Sequence, residues 1–292
     1  MIPKIGDDLP SIEIREMGKD DLVFAAQCTA QEGWVSENLA ILEGFFLHDP
    51  QGCFLAEEND QPIGICFATN YGASGFIGEL IVRPEARGRG VGAALLNHGV
   101  RILKARGVET VYLDGVLKAV QLYERNRFHK VSRSWRFSGN LPGKFSPRVK
   151  RMGISDIDQV IELDKRSFGT DRGFFLRRRL ELFPELSYVM HCRNTVSGFI
   201  FGRAGTDWVA AGPWVVEAGI ENPIELLQAL ALGAHGKPIN IGILDTHRQA
   251  CELVQSHGFV THPDSPWRMA CGSSSNLGAS ANCYAIGSAA KG

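Results

Sequence analysis

The sequence has no C-x-x-C pair. Its seven cysteines, at 28, 53, 66, 192, 251, 271 and 283, are odd in number, which argues against a disulfide framework or zinc knuckle and points to a reducing compartment. None has a histidine partner or helix-start setting, so they read as small buried hydrophobes rather than nucleophiles. The eight histidines show no H-E-x-x-H or comparable ligand spacing, so no metal is expected. Charge of one sign is also missing: 31 basic residues face 32 acidic ones, a net of −1. That balance draws the chain to neither nucleic acid nor an anionic membrane, and the local basic runs at 148–151 and 177–179 read as solvated helix faces. No run approaches the roughly 18 apolar residues that span a bilayer. The first twenty residues mix charge and proline without the apolar stretch of a signal peptide. A cytoplasmic protein is expected, and the sequence leaves its oligomeric state open.

What is present is a globular composition: 292 residues, 44% apolar, enough for two domains. Gly139–Pro147 holds two prolines and two glycines and reads as a linker. The expected division is an N-terminal domain over 1–139, a linker over 140–147 and a C-terminal domain over 148–292. Ile12–Arg15 alternates as a strand, Asp20 or Asp21 opens a helix through Cys28, and a second helix starts at Ser36. Cys53–Glu57 and Pro62–Thr69 flank a turn as a hairpin. Phe76–Val82 is a strand, Gly92–Arg106 a helix, Val111–Asp114 a strand and Ala119–Arg125 a short helix before a last strand. The second half repeats this layout. Met17 matches Met152, Gly64 matches Gly198, and the Ala119, Leu122, Phe128 set matches Ala250, Leu253, Phe259. These offsets of 135, 134 and 131 drift as loop changes between duplicated domains would make them. The tail from Cys271 to Gly292 is rich in Ser, Gly and Ala; its start is expected to be mobile and Tyr284–Gly287 to form an edge strand.

The most informative segment runs from Gly78 to Leu96: an apolar strand, Pro84, then Arg87-Gly-Arg-Gly90-Val-Gly92 opening a helix. Helix N-termini present unpaired amides and a positive dipole end, so they attract phosphate. Glycines let a backbone approach a pyrophosphate closely, and Arg87 and Arg89 add charge. The Lys-Ser/Thr of a Walker loop is absent, and the glycine spacing is not the dinucleotide fingerprint.

Strand-x-Pro-x-x-Arg-x-x-Gly-x-Gly leading into a helix resembles the acyl-CoA-binding motif of the GNAT superfamily of N-acetyltransferases. Leu113-Asp114 and Leu122-Tyr123 through Phe128 agree with it. The segments at 30–34 and 113–115 resemble members with a divergent C-terminal GNAT-like domain. The resemblance implies an α/β (α+β) fold of two GNAT-like domains, each a mixed, mostly antiparallel central sheet flanked by helices. It implies acetyl-CoA as cosubstrate, with Leu80, Ile81 and Val82 offering main-chain groups to the pantetheine arm and thioester. Arg87, Gly88, Arg89, Gly90, Val91 and Gly92 would cradle the pyrophosphate. Tyr123 falls at the family's general acid, and Glu32 and Trp34 lie where members shape the acceptor site.

Amide formation needs a neutral amine, whereas a lysine-like amine with a pKa of about 10.4 is protonated at pH 7. Glu79, beside the motif strand, is the candidate base. The Val82 amide is the candidate oxyanion donor, and Tyr123 the proton source for the thiolate. The family has glycine before Phe128, where this chain has Arg127; Asn126 is expected to take the turn instead.

In the second half, Gly78 falls on Gly212, Glu79 on Pro213 and Val82 on Val216. The phosphate loop falls on Glu221–Leu226, without glycine or arginine, and its two carboxylates would repel phosphate. Tyr123 falls on Val254. The expectation is a domain that keeps the fold, loses CoA chemistry and helps form the acceptor cleft, with Trp208, Trp214 and Trp267 as candidate walls. The activity expected is transfer of an acetyl group from acetyl-CoA to a primary amine, on a small molecule or peptide, directly in a ternary complex. The alternative is a CoA-binding regulatory or interaction protein without turnover.

Overall fold

The structure, a computed structural model, describes residues 12–34, 37–193, 195–273 and 277–292. The first half runs β1 (Ile12–Glu16), α1 (Asp21–Gln31), α2 (Leu39–His48), β2 (Cys53–Glu58), β3 (Gln61–Asn70) and β4 (Ser74–Val82). It continues with α3 (Val91–Ala105), β5 (Thr110–Gly115), α4 (Val120–Arg125) and β6 (His129–Gly139). The second half repeats the sequence of elements: β7 (Val149–Arg151), α5 (Ile157–Phe168), α6 (Gly173–Leu182), β8 (Ser187–Cys192), β9 (Thr195–Ala204) and β10 (Val209–Val216). Then follow α7 (Ile224–Gly233), β11 (Ile239–Leu244), α8 (Arg248–Ser256), β12 (Val260–Thr261), β13 (Trp267–Cys271) and β14 (Cys283–Ala285).

Local chemistry explains the boundaries. Asn38 caps α2, its side chain accepting the Ile41 amide at 3.3 Å; the start expected at Ser36 lies outside the described residues. The β2–β3 hairpin turns on Asn59 and Asp60, both left-handed with φ of 50° and 61°, which short polar side chains tolerate. The first sheet buries one face under α1 and α2 (Leu22, Ala25, Leu42 and Phe45 against Phe67, Phe76 and Ile81). The other face lies under α3 and α4, with Leu95, Leu96 and Tyr123 against Cys66, Ile77 and Leu113.

The strands order as β1-β2-β3-β4-β5-β13-β6-β11-β10-β9-β8-β7, with β12 on β6 and β14 on β10. Pairing is antiparallel except for β4 with β5 and β10 with β11. The halves trade strands. β13, from the second half, lies between β5 and β6, while β6 continues from Ser134 to Gly139 alongside β11. Residues 140–146 carry no helix or strand, and neither sheet is built from one side of that segment alone. Asp114 on β5 locks the exchange. It pairs with Arg268 of β13 and with Arg136 of β6 at 2.9 Å, and accepts the Ser134 hydroxyl at 2.8 Å, with its own side chain fully buried. Burial alone would raise this carboxyl, but the two guanidiniums hold it below the ordinary carboxylate range.

The repeat is present in backbone detail. The Phe128 and Phe259 amides donate to the carbonyls of Tyr123 and Val254 at 3.0 and 3.1 Å. Between them Arg127 and Gly258 are left-handed, with φ of 69° and 84°. Arg127, not Asn126 with its φ of −104°, therefore takes the turn: the tertiary frame overrides the preference for glycine.

Candidate active site

β4 and β5 run parallel and pair only where Ser74–Phe76 meet Thr110–Tyr112. Beyond Phe76 they diverge into a wedge. β4 also bulges there: Gly78 faces Phe67 and Ile81 faces Ile65, so Glu79 and Leu80 share a single opposing residue on β3. Glu79 adopts a φ of 45°, a left-handed conformation costing roughly 1–3 kcal/mol at a non-glycine residue. Bulges re-aim side chains, and this one sends a carboxylate inward, where it is 5% exposed. Burial and the nearby Glu37 push its pKa up, only partly opposed by Lys291 and Arg203. One of its oxygens has no hydrogen-bond partner among the described residues.

Tyr123 lies on the opposite, α3–α4 face, buried against Phe128 at 6.2 Å between ring centroids. The ring sits so near Gly115 that a β-carbon there would lie 2.8 Å from it. Burial raises the phenol, keeping its proton at neutral pH. Of the three wedge residues on β4, Leu80 and Val82 pack toward the α3 face and Ile81 toward the α1–α2 face.

Below the wedge, α3 begins at a left-handed Gly90 with φ of 87°, and its first bond runs from the Ala94 amide to the Gly90 carbonyl at 3.0 Å. Helix geometry leaves the amides before Ala94 without intrahelical acceptors. A β-carbon at Gly88 or Gly90 would meet nothing within 4 Å, so the loop has an open face that fits a phosphate group. Arg87 pairs with Glu32 and donates from Nε to the Val82 carbonyl at 2.8 Å; Lys118 reaches the same Glu32 at 3.0 Å. Arg89 pairs with Glu58. The two arginine side chains are 44% and 42% exposed, and ion pairs that exposed are weak enough to yield to a phosphate. Glu32 thus reaches the glycine loop, and Trp34 is half-buried against the α1–α2 core.

The corresponding wedge of the second half is closed. β10 pairs with β11 through Ala211 and Ile241, and β14 then enters the gap. It pairs with β10 at Trp214 and Val215, and the Ile286 amide donates to the Gly242 carbonyl of β11 at 2.9 Å. Tyr284 lies on the short strand expected there, which pairs with β10 alone while the following Ile286 reaches β11, and its aromatic partner is Trp214 at 4.9 Å. Trp214 is fully buried and forms core rather than a cleft wall. Trp267 packs toward the α3 face, stacked by Arg133 at 4.8 Å. The register on either side of the bulge keeps the offset read in the sequence, Ile77 on Ala68 answering Ala211 on Gly202 and Val82 on Gly64 answering Val216 on Gly198. Glu79 therefore corresponds to Pro213, while the β10 bulge itself, at Gly212 and Pro213, falls one residue earlier than that of β4. At the start of α7, Glu225 holds Arg148 at 2.6 Å and accepts the Ser146 hydroxyl at 2.7 Å.

Sequence reasoning missed the charged residues around Glu79: Glu37, Arg203 and Lys291. They come from three separated segments, and no local spacing links them. The cysteines are free, and burial pushes the Cys28 and Cys66 thiols up to about 11 and 12, far from thiolate reactivity.

A bulged strand, a wedge between parallel strands and a glycine loop at a helix start, on a frame occurring twice, define a tandem acyltransferase fold. The chain belongs to the GNAT acetyltransferases. The family model described as "Acetyltransferase (GNAT) family" matches residues 19–128, and that described as "Acetyltransferase (GNAT) domain" matches 160–285. Holothin acyltransferase of Pseudoalteromonas is 28% identical over 174 residues, 59% of this chain and 58% of that protein. Mycothiol acetyltransferase of Stackebrandtia nassauensis is 37% identical over 102 residues, 32% of this chain and 33% of its own. The chain thus spans just over half of one relative and a third of the other. A solved protein of Pyrococcus horikoshii, 24% identical with a TM-score of 0.79, covers 98% of this chain and 99% of its own, a likeness of fold.

Proposed function

We propose that the first half transfers an acetyl group from acetyl-CoA to a primary amine, directly in a ternary complex, and that the second half has no CoA chemistry. The observation that carries the reading is the open β4–β5 wedge, flanked by an inward carboxylate on one face and a buried phenol on the other. Acetyl-CoA supplies the thioester. Gly88, Gly90, Val91 and Gly92 bind phosphate through the amides of the loop and the first turn of α3, and Arg87 and Arg89 exchange their carboxylate partners for it. Leu80, Ile81 and Val82 present the β4 main chain along the wedge, with the Val82 amide as oxyanion donor. Glu79, its basicity raised by burial, takes the amine proton. Tyr123 returns a proton to the departing sulfur. The names of the two relatives support a small-molecule acceptor; Glu32 and Trp34 border its side of the site.

The test is CoA-thiol release from the purified chain across a panel of small amines and short peptides. Turnover with at least one is expected. Tight acetyl-CoA binding without turnover on any amine would move the protein to a regulatory role.

A further inference from the structure

Beyond β14 the chain runs back beneath the β4 bulge. The Tyr71 hydroxyl donates to the Lys291 carbonyl at 3.0 Å, Arg172 donates to the Gly292 oxygen at 2.7 Å, and the Gly287 amide donates to that same oxygen at 2.7 Å. Ala290 packs on β4 so tightly that a β-carbon at Gly78 would lie 2.7 Å from its own. The backbone therefore delivers the Lys291 side chain next to the proposed base. Its amine sits 3.9 Å from the Phe45 ring centroid and 5.4 Å from that of Phe175. Its electrostatic neighbours are Glu37, Glu79, Arg179 and Arg203. The Lys291 amine and one oxygen each of Glu37 and Glu79 are buried without hydrogen-bond partners among the described residues.

A methionine would fill this space without the penalty of several kcal/mol for taking an ammonium out of water. Glu37 is already paired with Arg203, so it is Glu79 and the two aromatic faces that supply surroundings of the kind that recognise an organic cation. We infer that the space beneath the β4 bulge is a primary-ammonium site, that Lys291 is its resident occupant, and that the acceptor amine enters by displacing segment 288–292. The inference rests on the proposed reading of Glu79, and gives the acceptor a chemistry: a primary amine on an unbranched apolar stem.

The test uses Lys291→Ala with 1-butylamine as the probe and 1-butanol as its uncharged counterpart. Butylamine should raise the melting temperature of the variant by several degrees and leave the wild type nearly unmoved, while butanol has no such effect. Equal stabilisation by both, or by neither, overturns the ammonium site. Should the variant not fold, hydrogen exchange on the wild type decides. Butylamine should speed exchange of the amides at 287–292 by about tenfold, and unchanged exchange overturns the displacement. With acetyl-CoA binding verified by calorimetry, Lys291→Ala should acetylate butylamine at least about tenfold faster than wild type; a probe that binds without reacting overturns the acceptor assignment. Failure to bind acetyl-CoA would count against the proposed function, leaving the melting and exchange measurements to judge the ammonium site.

Discussion

The two wedges share a frame and differ in what enters them. Between β4 and β5, pairing stops at Phe76, the bulge turns Glu79 inward, and a bare glycine loop precedes α3. Between β10 and β11, the bulge carries Gly212 and Pro213, β14 zips into the gap, and the start of α7 is held by Glu225 with Arg148. Val254 stands where Tyr123 does. The difference teaches that a duplicated site can be closed by the chain itself: main-chain hydrogen bonds from β14 satisfy strands that would otherwise open toward a ligand.

The sharpest way to break this contrast is to give the open wedge what the closed one has. Gly90→Glu puts a carboxylate at the loop in a backbone conformation hostile to side chains. It is expected to weaken acetyl-CoA binding by at least about a hundredfold in calorimetry; unchanged affinity would remove the phosphate role of the loop. Next in size are the two side chains that only the first wedge carries. Glu79→Gln and Tyr123→Phe should each lower kcat by about 10²–10⁴, with acetyl-CoA affinity little changed. Because burial raises Glu79, its base form appears only as pH climbs past the ordinary carboxylate range. Wild-type kcat/KM should therefore rise with pH there, and a Glu79→Gln profile that still rises would reassign the base.

Asp114→Asn sharpens the comparison differently, since the strand exchange ties both wedges to one carboxylate. Leaving Arg268 buried and Arg136 half-buried without it should cost about 3–5 kcal/mol, read by denaturant melts. The folded-state pKa of Asp114 is depressed, so its stabilisation is present above the ordinary aspartate range and is lost as pH falls through the depressed value. The acid limb of the wild-type stability curve should flatten in the variant. The smallest effect belongs to the closed wedge: Arg148→Ala should cost about 1 kcal/mol or less and leave acetyl-CoA affinity unmoved, whereas lost affinity would show the second half taking part.

The legibility of these features follows the range of the interactions behind them. Pro84, Arg87, Gly88 and Gly90 act on their neighbours, and the loop and helix they predict are where the sequence puts them. The hairpin at Asn59 and Asp60 is local in the same way. The insertion of β14, the passage of β13 into the first sheet and the gathering of Glu37, Arg203 and Lys291 around Glu79 depend on long-range closure, which leaves no periodicity or spacing to read. Arg127 marks the boundary between the two cases. Its residue type argues against a left-handed turn, and the hydrogen bond from Phe128 to Tyr123 imposes one.

The central claim, one working wedge and one closed by its own chain, is tested most directly by calorimetric titration with acetyl-CoA, reading stoichiometry. One site per chain is the predicted result. Two sites would show that β14 yields to the ligand and that the second half is not closed, while no binding would contradict the assignment of the open wedge.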